Sequence, residues 1–157
     1  MARRSAGIVL FRRSGSGELE VLLVHPGGPF WARRDAGAWS IPKGEVEPDE
    51  EERAGALREL AEETGATFAD VSEGDLITLG EVRQRSGKVV TAWALERDLD
   101  ADAILSTTFE LEWPPRSGRL QTFPEVDRAA WLPLPAAREK LLPAQAPWLD
   151  RLAAILG

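Results

Sequence analysis

Between Gly44 and Gly65 the chain places four glutamates and an arginine at fixed offsets around one helix, and few folds can use such a segment. Read out, it is Gly44, five residues, Glu50, seven residues, then Arg58-Glu59-Leu60-Ala61-Glu62-Glu63-Thr64-Gly65. Pro48-Asp49-Glu50 predicts the helix start, because proline suits a first turn and acidic side chains suit the positive end of the helix dipole. Gly65 predicts the stop, as the residue type that takes the left-handed conformation after a last turn. Ala54, Leu57, Leu60, Ala61 and Thr64 recur at three- and four-residue spacing and predict a stripe to bury. Glu59, Glu62 and Glu63, at i, i+3 and i+4, converge on one neighbouring face.

Like charges at that spacing repel, more so where they are partly buried. Arg53 and Arg58 offset part of the repulsion; a hard divalent cation taking carboxylate oxygens offsets it directly, and Mg²⁺ or Mn²⁺ prefers that ligand set. The chain has one histidine and no cysteine, which argues against zinc.

The complete pattern resembles the Nudix box. Upstream, Trp39-Ser40-Ile41-Pro42-Lys43-Gly44 is similar to the W-x-x-P-K-G run that precedes the box in many Nudix hydrolases. Ala66 departs from the family pattern, where a larger aliphatic residue is usual; slightly looser packing is the expected effect. The resemblance implies an α/β fold, a mixed β-sheet sandwiched between α-helices, and hydrolysis of a nucleoside diphosphate linked to another group. It further implies Glu59 and Glu63 as metal ligands, Glu62 as a further ligand or base, and the Lys43 carbonyl as another ligand. Arg58 is expected to hold Glu59 by a charge-assisted hydrogen bond, and Glu50 to orient the loop. A carboxylate from outside the box is also implied. Glu125 stands in a segment ending Trp131-Leu132 that resembles the E-x-x-x-x-x-W-L segment of diadenosine tetraphosphate hydrolases, while Glu110 and Glu112 compete for the role.

The remaining features bound the reading. A chain of 157 residues predicts one domain over 1–157. Absence of cysteine suits a reducing, cytoplasmic setting. Met1-Ala2-Arg3-Arg4 before an apolar run superficially resembles a signal peptide, but Arg12-Arg13 close the run early and it reads better as a first strand. No segment approaches the length of a membrane span. A formal charge of -7 argues against a nucleic-acid polymer as partner, yet a nucleotide or polyphosphate remains a fitting ligand once metal reverses the local field. Arg33 with Arg34, Arg83 with Arg85 and Lys88, and Arg116 with Arg119 are the cations that could meet phosphate, each group having a solvated surface role as its alternative. Trp39, with Trp31 and Trp93, is a better candidate to meet a base than Trp131 and Trp148, which read as core, although core packing is the first expectation for those three as well; His25 reads as a structural strand-end residue. A homodimer is admitted by the resemblance.

Strands are expected at Ser5 to Arg12, Leu19 to His25, Leu76 to Gln84, Val89 to Glu96, Ala103 to Trp113 and Ala129 to Leu134, with two helices at the end. In the last, Leu149, Leu152, Ala153 and Leu156 make the apolar stripe. The long loop from Gly27 to Gly37 is a candidate substrate wall. Three functions fit: a pyrophosphohydrolase of dinucleoside polyphosphates or nucleoside triphosphates; the same chemistry on a nucleotide sugar or inositol polyphosphate; or a noncatalytic nucleotide-sensing module. The last is expected to carry a damaged box, whereas every charged box position is present here.

Overall fold

The computed structural model describes residues 4–157; Met1-Ala2-Arg3, the start of the leader-like segment, lies outside the described residues. The described strands are β1 (Ser5–Arg13), β2 (Leu19–Pro26), β3 (Lys43–Glu45), β4 (Ile77–Arg83), β5 (Val89–Glu96), β6 (Thr108–Glu112), β7 (Leu120–Pro124) and β8 (Val126–Pro133). The helices are α1 (Glu52–Thr64), α2 (Leu134–Lys140) and α3 (Ala146–Leu156).

The main sheet has the order β4-β5-β1-β2-β8, with β3 paired to β1. It is mixed: β1 runs parallel to β5 and antiparallel to β2. β1 is apolar almost throughout, as a central strand covered on both faces must be. Its residues alternate between two cores. Ala6, Ile8 and Leu10 pack with Ala56 and Leu60 of α1, while Val9 and Phe11 pack with Trp148, Leu149 and Leu152 of α3. The sheet is thus sandwiched between helices, and α1 lies across β1 and β3, the strand that carries Lys43 and Gly44.

Helix α1 starts later than Pro48 predicts. Glu51 is the N-cap, its carboxylate accepting from the Ala54 amide, and Pro48-Asp49-Glu50 belong to a turn whose Glu47 and Glu50 carbonyls accept from the Arg4 guanidinium at 3.0 and 2.8 Å. The buried face is correspondingly rotated to Gly55, Ala56, Leu60, Glu63 and Thr64, leaving Ala54 exposed. Gly65 ends the helix at φ 78, donating its amide to the Ala61 carbonyl.

The segment from Ala103 is not one strand to Trp113. Residues 101–103 form a 3₁₀ turn, and the amides of Leu105 and Thr107 donate to the Thr64 and Glu62 carbonyls, so the last turn of α1 captures this stretch before β6 begins. β6 then pairs with β7 in a separate two-stranded sheet. In α3, Ala153 is exposed while Trp148 is fully buried, its Nε1 donating to the Gly80 carbonyl at 3.0 Å. Among the described residues no helix is long and apolar enough to cross a membrane.

Candidate active site

Glu59 is set against the backbone of β3. A methyl group at Gly44 would stand 2.1 Å from the Glu59 carboxyl carbon, so the acid occupies the space that a side chain at residue 44 would take. One turn further, Glu63 is 8% exposed, although it is charged in sequence. Burial first, then repulsion from Glu59, drives its carboxyl up to about 8, with Glu125 adding to the rise and the Lys43 ammonium and backbone amide opposing it. Glu59 is raised in the same way, by burial first, against the attraction of Arg58.

Arg58 ties the box together. Its Nε and Nη2 donate to both oxygens of Glu50 at 2.9 and 3.0 Å, and its Nη1 donates to Glu59 at 3.1 Å and Glu62 at 3.2 Å. Nη2 also donates to the Glu45 carbonyl at 2.9 Å. The Glu50 carboxylate is held below its usual range, chiefly by this guanidinium. Glu62 therefore faces Arg58, while Glu63 points inward.

Beside Glu63 opens a cleft of about 220 Å³ lined by Trp31, Ser40, Lys43, Glu125 and, on its apolar side, Val24 and Ile41. Burial holds the Lys43 ammonium below the ordinary lysine value, with Glu63 opposing the shift. The Ile41 amide donates to the buried Gln145 side chain at 3.0 Å, which anchors the strand entering the cleft. A larger groove of about 630 Å³, lined by Phe11, Arg13, Asp70 and Arg97 among others, lies at the other end of β1 and contains none of the box carboxylates.

The other sequence-predicted residues divide. Glu125 lines the cleft, whereas Glu110 and Glu112 are exposed on β6, away from the cleft lining. Trp39 is 6% exposed in the α3-side core, its Nε1 donating to Asp35 at 2.8 Å, so its ring is not free to meet a base. Trp93 is buried in the α1-side core, and of the three tryptophans only Trp31 lines the cleft. Arg33 is exposed, and Arg34 packs over Trp31 at 5.6 Å. Arg83 donates to the Gly87 carbonyl at its own hairpin turn, and Lys88 lies 3.7 Å from Glu45. Neither Arg83 nor Lys88 lines the cleft.

Sequence reasoning missed the linkage behind the substrate-wall loop. His25, fully buried, donates from Nε2 to the Arg34 carbonyl at 2.6 Å, and its Nδ1 lies 2.9 Å from Asp127. Asp127, two residues past Glu125, was the available signal. The ring thereby fastens the loop to the strand that follows Glu125.

Among the described residues, no three acidic or histidine side chains are already gathered tightly around one point. Even so, Glu59 and Glu63, desolvated, mutually repelling and all oxygen, form a donor set that suits a hard divalent cation.

Residues 1–152 match the model of the NUDIX domain. The chain belongs to the NUDIX family. It is a Nudix hydrolase, a pyrophosphohydrolase by class. The asymmetrical bis(5'-nucleosyl)-tetraphosphatase of Rattus norvegicus is 35% identical over 114 residues, covering 68% of this chain and 74% of that protein. The crystal structure of C. elegans Ap4A hydrolase matches at a TM-score of 0.64 and 23% identity over 100% of both chains. The NUDIX domain of Shewanella oneidensis NrtR, complexed with ADP ribose, matches at 0.67 and 20% identity over 100% of this chain and 90% of that one. At those identities the two structures speak for the fold.

Proposed function

We propose that this single-domain Nudix hydrolase cleaves a pyrophosphate bond in a dinucleoside polyphosphate or a nucleoside triphosphate, using Mg²⁺ or Mn²⁺. The observation that carries the reading is the juxtaposition of the buried Glu63 with Lys43 and Glu125 in one cleft. The similarity to the rat tetraphosphatase favours the dinucleoside polyphosphate.

In this reading Glu59, Glu63 and the Lys43 carbonyl would hold the cation, and Glu62, which Arg58 holds in this structure, would be a further ligand. The cation supplies charge neutralisation at the phosphoryl oxygens and activation of water. Glu125 borders the same space and accepts the proton that water loses as its oxygen bonds to phosphorus; the bridging P–O bond breaks and the leaving phosphate departs with the electron pair. Lys43 places positive charge against the polyphosphate, and Trp31 offers the cleft a flat face for a base. Arg33 and Arg34, on the wall loop, are the cations nearest that face in sequence. The absence of cysteine favours the cytoplasm, and a homodimer fits the family habit.

Product analysis of the purified protein with diadenosine tetraphosphate, ATP, ADP-ribose and an inositol pyrophosphate, each with Mg²⁺, Mn²⁺ or EDTA, tests this. Metal-dependent release of ATP and AMP from the tetraphosphate is the expected result; cleavage confined to ADP-ribose or the inositol compound contradicts the substrate reading.

A further inference from the structure

Phe30, Phe109, Trp113 and Phe123 belong to neither core. Strand alternation puts Phe109 and Leu111 on one face of β6, and Trp113 continues it, its amide donating to the Arg119 carbonyl at 3.0 Å. On that face Phe109 meets Phe123 at 6.0 Å and packs against Gly28 of the wall loop. Trp113, at the hairpin tip, meets Phe30 edge-on at 5.3 Å. Phe30 is nevertheless 63% exposed, and Leu120 beside the tip 69%. An exposed apolar patch that continues the wall of a cleft is a candidate ligand surface.

The foot of the same hairpin stands at the carboxylates. Thr107 donates to the Glu62 carbonyl at 2.9 Å, and Glu125 donates its amide to the Thr107 carbonyl at 2.9 Å. Six residue steps of extended chain then lead from Thr107 to Trp113, roughly 20 Å at about 3.3 Å per step. At the tip Arg116 takes φ 62, a left-handed conformation that favours glycine, so an arginine is kept at a strained position, and Arg119 stands opposite Trp113. One wall therefore runs from the acidic cleft to the pair of Phe30 and Trp113, at a tip that carries two exposed arginines, Arg116 and Arg119.

We propose that Phe30 and Trp113 form a stacking subsite for the distal nucleoside of a dinucleoside polyphosphate, with Arg116 and Arg119 meeting the phosphates nearest to it. The assignment rests on the pyrophosphohydrolase reading. A flat aromatic face is what every nucleobase can use, and guanidinium pairs match phosphate oxygens. A dinucleoside polyphosphate carries its second base beyond the phosphates, where it can reach toward the tip, whereas a mononucleotide has nothing at that end.

The test compares diadenosine tetraphosphate with adenosine 5'-tetraphosphate, which has the same phosphates and no distal nucleoside. In wild-type protein kcat/KM for the dinucleotide exceeds that for the mononucleotide. Phe30→Leu and Trp113→Leu, which keep apolar volume and remove the π-face, lower the dinucleotide value roughly tenfold and change the mononucleotide value less than twofold; Trp113→Phe restores it. Equal losses on both substrates reveal a merely structural role for the hairpin and overturn the subsite, as does an unchanged preference in both leucine variants. If wild-type protein cleaves neither compound with Mg²⁺ or Mn²⁺, the pyrophosphohydrolase reading fails instead. The subsite is then judged from tryptophan-fluorescence titration: tighter wild-type binding of the dinucleotide that Phe30→Leu abolishes upholds it, and equal affinities overturn it.

Discussion

The carboxyl group of Glu59 fills the place where a side chain at Gly44 would be, so the glycine opening the box and the glutamate on its helix form one close-packed unit. Nothing larger than hydrogen fits at residue 44 without moving Glu59. Gly44→Ala is therefore expected to lower kcat at least a hundredfold by misplacing a metal-holding carboxylate, with a smaller effect on the thermal midpoint. Steady-state kinetics beside a melting curve checks both halves.

Arg58 meets two oxygens of Glu50, one carboxylate oxygen of Glu59, both oxygens of Glu62 and the Glu45 carbonyl, a set that needs the planar fork of a guanidinium. Arg58→Lys keeps the charge and loses the fork. It is expected to cost about 2 kcal/mol, the scale of charge-assisted hydrogen bonds, and to raise the metal concentration needed for half-maximal rate. Denaturant titration and a metal titration of turnover measure the two effects.

The raised Glu63 carboxyl makes the metal-free protein sensitive to pH. Unfolded, the group releases its proton near the ordinary value of 4.5; folded, it keeps it to about 8. Between those values the native state binds more protons than the unfolded state, so its stability declines as pH rises through that window. Melting in EDTA from pH 5 to pH 9 is expected to show this fall, Glu63→Gln is expected to flatten it, and Mg²⁺ is expected to offset it by favouring the ionised carboxylate. A metal-free midpoint that rises steadily over that range contradicts the assignment.

Trp148 fills the α3-side core and its indole N–H satisfies the Gly80 carbonyl. Trp148→Ala removes both and is expected to destabilise by about 3–5 kcal/mol. Trp148→Phe, which loses chiefly the hydrogen bond, is expected to cost less. Unfolding in urea separates the two.

The box was legible because its chemistry is local. Caps, carboxylates and the closing glycine lie within one helix and the turn before it, and the helix start slipped only because Arg4, distant in sequence, holds the Glu47 and Glu50 carbonyls in a turn. The hairpin was half legible. Leu120, Gln121 and Thr122 are exposed and do not alternate, so β7 left no periodic trace, and the carbonyls of α1 that shorten β6 are a tertiary effect. Which of two roles Trp39 takes was undecided for the same reason: residues Trp39 to Gly44 look like a cleft rim in sequence, and it is pairing with Leu141 and the bond to Asp35 that turn the indole into the core. The contacts of Asp127 and Phe30 were not legible, because their partners, His25 and Trp113, lie far along the chain; for Asp127 the only signal was its place two residues past Glu125.

The most direct measurement is the rate of nucleotide release from diadenosine tetraphosphate by wild-type protein and Glu63→Gln, each at saturating Mg²⁺ and each verified as folded. The account predicts wild-type turnover that EDTA stops and a loss of at least a thousandfold in the variant. Undiminished turnover by Glu63→Gln with the same metal dependence would contradict it.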